Sequence, residues 1–232
     1  MSSTLPYVAR LVCLWGACAF LDPTYAAGVG LCASGKQQSP IDIVGAVRQN
    51  LRPLQFAYRS ETLKLANDGH TVRVRFGVGS ELRIANTVYR LQQFHFHTPG
   101  GDRIGGEEFP MVAHLLHKSA SGQLLALAVL FRLGAENPTL TRLLPRVPSS
   151  VDGDHVYPDV SVDATALLPT THAYYRYLGS LTAPPCTEGV QWIVMKATTT
   201  LSAAQLAQYK TRFADNARSV QALNQRTVSE SP

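Results

Sequence analysis

No Cys-x-x-Cys pair occurs in the 232 residues, and only four cysteines are present: Cys13, Cys18, Cys32 and Cys186. A metal site built from closely spaced thiolates is therefore excluded. Spacing alone leaves two readings of the cysteines open: four reduced thiols, or a long-range bridge made in an oxidising compartment. Runs of Lys or Arg are also missing. The 21 basic residues are scattered singly, at a formal net charge of +5. Nucleic-acid surfaces cluster their cations, so this scatter reads as a mildly basic solvated surface with no nucleic-acid partner. Charged residues are few, at 16%, against 45% hydrophobic ones. That balance belongs to a folded chain and excludes a disordered one.

No apolar stretch is long enough to read as a membrane helix, and no membrane partner is expected. The apolar run 11–21 follows Arg10 and contains Ala17-Cys18-Ala19. It resembles a short signal-peptide core, with cleavage near Ala26 or Ala27. Residues 1–26 are thus read as a separate segment, either signal-like or the start of the domain. Residues 27–232 are read as one domain, because no linker and no repeat divides them.

The chain is organised around Gln93-Phe94-His95-Phe96-His97. In a strand, residues two apart share a face, so His95 and His97 project together and the phenylalanines project away. A third histidine follows in Val112-Ala113-His114-Leu115-Leu116-His117. Residues 98–110, with four Gly and two Pro, read as a long hairpin connection between two strands. If those strands pair, His114 joins His95 and His97. Three imidazoles meeting at one point match a catalytic zinc site with an open fourth position. His117 is out of register and is expected to face away.

Further alternating stretches read as strands at 54–58, 63–66, 71–76, 81–84, 88–97, 174–179 and 190–196. Residues 123–133 are almost wholly apolar and predict a central buried strand. A short helix is expected over 137–147, broken at Pro145. Another is expected from an N-cap at Ser202 to about Phe213. Residues 149–168 read as loop-rich. The fold class predicted is mainly β (α+β): a single domain with a large, mostly antiparallel central sheet and a few short peripheral helices.

Several segments, in order along nearly the whole chain, resemble one known family. They are Gln37-Gln38-Ser39-Pro40-Ile41-Asp42-Ile43, Asn67-Asp68-Gly69-His70, the His95 and His114 strands, Gly179-Ser180-Leu181-Thr182-Ala183-Pro184-Pro185-Cys186 and Asn216-Ala217-Arg218. Together they are similar to the bacterial branch of the α-class carbonic anhydrases. Trp15-Gly16 resembles the family's N-terminal Trp-Gly, the reason to let residues 1–26 join the domain.

The resemblance implies Zn2+ bound by His95, His97 and His114, and carbon dioxide hydrated to bicarbonate by zinc-bound hydroxide. Thr182 would orient that hydroxide. His70 would carry the proton away, a task suited to a side chain class that titrates near neutral pH. Gln93 would bond the outer nitrogen of a zinc-binding histidine. Leu116, Ala126, Leu181, Ala183 and Trp192 would form the substrate pocket. Cys32 and Cys186 would be disulfide-bonded. A small-molecule substrate, a monomer or homodimer, and a periplasmic or secreted location would follow.

The chain departs from the family pattern at two carboxylates. Gly101 stands where a glutamate usually takes the proton of the threonine at 182. Val112 stands where a glutamate usually bonds the outer nitrogen of the third histidine. Asp102, Glu107 and Glu108 are candidates to stand in. The expectation is a zinc enzyme of reduced activity. The alternative is a catalytically weak or inactive carbonic-anhydrase-like binding module.

Overall fold

Two long strands with a short-looped turn between them form the middle of the fold. Met111–Ser119 pairs antiparallel with Leu124–Leu133, joined through Gly122 at φ +86°, a conformation that glycine adopts without strain. The computed structural model describes residues 30–232. The run 11–21, Trp15-Gly16, Cys13 and Cys18 lie outside the described residues.

Among the described residues, thirteen strands make one sheet. Its path runs His155–Val162, Glu61–Asn67, Val72–Arg75, Thr87–His97, Met111–Ser119, Leu124–Leu133, Glu188–Met195, Tyr174–Ser180, Ser229–Glu230 and Val47–Arg48. Most neighbours are antiparallel. Leu124–Leu133 pairs in parallel with Glu188–Met195, so the sheet is mixed. Leu125 to Phe131 are fully buried on both faces, as a central strand requires.

The sheet separates two apolar layers. One face carries Val72, Val74, Phe94, Phe96, Leu115 and Leu127 into the larger core. The helix Ala203–Phe213 closes part of it with Tyr209 and Phe213. Ser202 caps that helix in a capping box with Gln205, as its sequence predicts. The helix Pro138–Leu143 starts from an Asn137 cap and gives way to the 3-10 turn Leu144–Arg146 at Pro145. The opposite face carries a smaller cluster with Ile41, Val112, Ala128, Leu130 and Trp192.

Residues 149–168 differ from the loop expected there. His155–Val162 is an edge strand on Glu61–Asn67, with a register shift between Tyr157 and Ser161. Pro158 lies within that shift, and an edge strand tolerates a proline because one row of its N–H groups has no partner strand.

Candidate metal centre

Cross-strand register brings the histidines together. His95 on Thr87–His97 lies directly opposite His114 on Met111–Ser119, and His97 lies opposite Val112. The period of two then puts all three imidazoles on one face. Ring centroids are 4.9 Å apart for His95–His97 and His97–His114, and 5.5 Å for His95–His114. One ligand nitrogen from each lies within 4.8 Å of the others. Among the described residues this is the one group of three or more His, Cys, Asp or Glu so placed.

The hydrogen bonds fix which nitrogens are free. His97 Nδ1 donates to the carbonyl of Asn216 at 3.0 Å, and His95 Nδ1 donates to Gln93 Oε1 at 2.9 Å. A carbonyl oxygen only accepts, so the ring proton sits on Nδ1 and Nε2 keeps its lone pair. His97 Nε2 is sealed from solvent and has no partner in the protein. Burial lowers all three histidines below the usual imidazole range, His97 to about 4. Neighbouring positive charge from the other imidazoles, and from Arg73 at His95, adds to this. Neutral rings with unpartnered, converging nitrogens are what a divalent metal such as zinc requires, and the residues fit it.

His114 differs from its neighbours. Its Nε2 is buried without an acceptor. The residue two before it, Val112, is fully buried and offers only methyl groups. Trp192 packs edge-on against the ring, with centroids 4.9 Å apart.

The imidazoles line a cavity of about 200 Å³ whose apolar side is Leu116, Leu181, Pro184 and Trp192. Thr182, Ala183 and Gln93 also reach it. Ala126 does not. It pairs with Leu116 and Trp192 across its two neighbouring strands and supports them from within the sheet. His70 sits at the mouth, exposed, 5.7 Å from the His97 ring centroid. It lines both this cavity and a second one of about 470 Å³ that reaches Asp215 and Arg218. His117 faces the other way, with Nδ1 on the carbonyl of Leu115 and Nε2 accepting from Tyr58.

None of the three candidate carboxylates replaces the glutamate absent at Gly101. Asp102 turns away, accepting from the Ile41 N–H and the Tyr177 hydroxyl. Glu107 and Glu108 are exposed and pair with Arg132 and Arg103. Asn216 and Arg73 are among the site residues with no role in the sequence reading. Asn216 holds His97 through its backbone carbonyl, which no side-chain pattern reveals. Arg73 lines the cavity beside His95, and only the sheet register places it there.

The Thr182 loop is tied down on several sides. Cys186 forms a disulfide with Cys32. Arg218 bonds Gln38, Ser39 and the Cys32 carbonyl, while Gln38 bonds the Cys186 carbonyl and Glu188. A Cβ at Gly179 would collide with Ser39 Oγ and Trp192, so only glycine lets these segments close over the site.

A mixed β-sheet with a three-histidine centre at the base of a half-apolar cavity defines the class: a metal-dependent enzyme acting on a small molecule. The model of the eukaryotic-type carbonic anhydrase family matches residues 24–232. A carbonic anhydrase of Pectobacterium carotovorum is 42% identical over 201 residues, covering 85% of this chain and 81% of the relative. The α-carbonic anhydrase of Thermovibrio ammonificans, solved with the inhibitor sulfanilamide, superposes with a TM-score of 0.83 at 38% identity, over 87% of this chain and 90% of that one. Dioscorin dioA3 of Dioscorea japonica is 36% identical over 85% of this chain and 76% of its own length. This chain belongs to the carbonic anhydrase family.

Proposed function

We propose that this chain catalyses the zinc-dependent, reversible hydration of carbon dioxide to bicarbonate and a proton. The observation that carries this reading is the convergence of three neutral imidazoles on the wall of a cavity with an apolar side. A bound zinc supplies the Lewis acidity that ionises water near neutral pH.

The protein's own groups divide the remaining work. His95, His97 and His114 would hold the metal, one ring nitrogen from each. Gln93 and the Asn216 carbonyl fix two of the rings. Leu116, Leu181 and Trp192 take up carbon dioxide, an apolar molecule, and exclude bulk water. The Thr182 hydroxyl accepts a hydrogen bond from the attacking oxygen and aims it. His70 moves the proton from the inner cavity to the outer one. The disulfide favours an oxidising compartment, periplasmic or extracellular.

Stopped-flow carbon dioxide hydration, with zinc measured on the same sample, tests the reading. About one zinc per chain is expected, with turnover that a chelator abolishes and zinc restores. Full zinc content without a rate above background overturns it. That outcome selects the second reading, a metal-loaded binding module. Two observations favour this second reading: among the described residues no carboxylate orients Thr182, and Nε2 of His114 is buried without a partner.

Val112→Glu addresses the second of these. The new carboxylate would share a strand face with His114 and reach Nε2. Metal affinity is expected to rise about tenfold, the lower end for one such partner. Chelator competition measures it, and an unchanged affinity in a folded variant counts against the assignment. Gly101→Glu is the less clean change, because a Cβ there comes within 3.2 Å of the Pro40 ring.

A further inference from the structure

His95 and His97 each donate from Nδ1 to a fixed oxygen, Gln93 Oε1 and the Asn216 carbonyl. His114 is held differently. Its Nε2 is buried without a partner, and Val112, two residues before it, offers only methyl groups. Rotation of an imidazole about its Cβ–Cγ bond is broad and roughly two-fold, so a ring that lacks such an anchor is oriented by what it packs on. Among the described residues, the ring that packs on His114 from outside the metal group is Trp192, at a centroid distance of 4.9 Å and an interplanar angle of 83°.

Trp192 is itself fixed on several sides. Its Nε1–H donates to the Ser180 carbonyl at 2.9 Å. Ser180 and Ser39 lock together, the backbone N–H of each donating to the hydroxyl oxygen of the other. Tyr177 stacks on the indole, with centroids 5.9 Å and planes 11° apart, and donates its hydroxyl to Asp102 Oδ1 at 2.8 Å. The strand between Trp192 and His114 carries small residues at this point. Ala126 lies opposite Trp192, and Ala128 lies opposite His114. The indole therefore reaches over that strand to the imidazole. A chain of contacts runs from buried Asp102 through two rings to the third histidine of the metal centre.

We propose that Trp192 is the positioning residue for His114: its fixed indole, edge-to-face with the imidazole, sets the ring orientation that hydrogen bonds set at His95 and His97. Edge-to-face pairs are directional, because the positive rim of one ring meets the negative face of the other. A rotated imidazole loses that contact, so the indole favours one orientation before any metal arrives. This role is separate from the apolar wall that Trp192 lends the cavity. It rests on the metal-binding part of the proposed function and not on turnover.

Zinc affinity by chelator competition, and the imidazole NMR signals of the metal-free protein, test the role together. The proteins are the wild type, Trp192→Leu, Trp192→Phe, Val190→Ala, and Val112→Glu with and without W192L. Leucine keeps an apolar side chain and removes the ring. Zinc affinity in W192L is expected to fall about tenfold, the lower end for losing one partner that orients a ligand. W192F keeps a ring without the Ser180 bond and should lose about threefold. V190A lies two residues away in the same apolar cluster and outside the cavity lining; it should cost stability and leave zinc affinity as in the wild type. In metal-free W192L the His114 signals should broaden or split, while those of His95 and His97 stay sharp. With V112E supplying a carboxylate to the ring, W192L should cost about twofold or less, a coupling between the two positions. Equal losses from W192L with and without V112E, equal losses in W192L and V190A, or signal changes shared by all three histidines make Trp192 a packing residue and overturn the proposal. Where W192L does not fold, W192F carries the test: a loss with the His114 signals alone affected supports the role, and wild-type affinity with unchanged signals overturns it. A wild type that holds no zinc removes the proposed reaction, and the His114 signals of the metal-free protein still decide whether Trp192 orients the ring.

Discussion

Replacing Cys186 by serine is expected to lower the melting temperature by roughly 10 °C and to weaken the enzyme before it unfolds. The bridge to Cys32 spans a sequence separation of 154. Closing a loop of that length restricts the unfolded chain by about 5 kcal/mol in the chain-entropy picture, and removing native bridges costs about 2–5 kcal/mol. Domains are stable by only about 5–15 kcal/mol, so this is a large fraction. For a chain of this size, about 2–4 °C is lost per kcal/mol. The local consequence concerns Thr182, four residues before Cys186. Arg218, Gln38 and Ser39 still tether the loop through hydrogen bonds. Turnover should therefore fall less steeply than stability, and metal affinity should hardly change, since the histidines sit on other strands. Thermal unfolding of C186S and C32S, with and without reductant on the wild type, checks this. A reduced wild type as stable as the oxidised one contradicts it.

Where a side chain acts through its own strand, the sequence already contains the answer. His95 and His97 share a face by period alone, and His114 needs only the pairing of two strands joined by residues 98–110. The capped helix at Ser202 is local in the same way. The Cys32–Cys186 pair came from family likeness, because a separation of 154 residues holds no geometric signal of its own. Features that depend on non-local register were not legible. Arg73 reaches the cavity because Val72–Arg75 pairs with Thr87–His97 beyond the intervening strand Glu81–Ile84. The parallel pairing of Leu124–Leu133 with Glu188–Met195 is equally remote. Ala126 read as a pocket residue from the family likeness alone, which does not say which side chains of this chain reach the opening. Asp102 read as a possible substitute for the absent glutamate, yet the turn at Gly100 and Gly101 directs it to Ile41 and Tyr177.

That redirected aspartate gives the second large effect. Asp102 is fully buried, and its Oδ2 has no partner. Burial raises its carboxyl to about 6, against hydrogen bonds from Ile41 N–H and Tyr177 and the charge of Arg226, which favour ionisation. The folded protein therefore holds this proton more tightly than the unfolded chain. Its contribution to stability is greatest at low pH and falls as pH rises from the ordinary aspartate value of about 4 to about 6. Above that it is flat, and the ionised group costs about 3 kcal/mol. The histidines act in the opposite sense. His97 and His117, both lowered to about 4 by burial, lose stability as pH falls below the ordinary imidazole range. The wild-type profile mixes the two. Asp102→Asn separates them, because asparagine keeps the acceptor for Ile41 and Tyr177 but does not titrate. The unfolding free energy of D102N relative to wild type should rise by about 3 kcal/mol between pH 4 and pH 7, with the histidine contributions cancelling in the difference. Any fixed cost of burying the new amide shifts the whole difference and leaves its slope intact. Urea titrations at several pH values on both proteins supply the measurement. A difference that stays level across that range would mean that Asp102 is ionised in the fold without penalty, and that its unpartnered oxygen meets solvent.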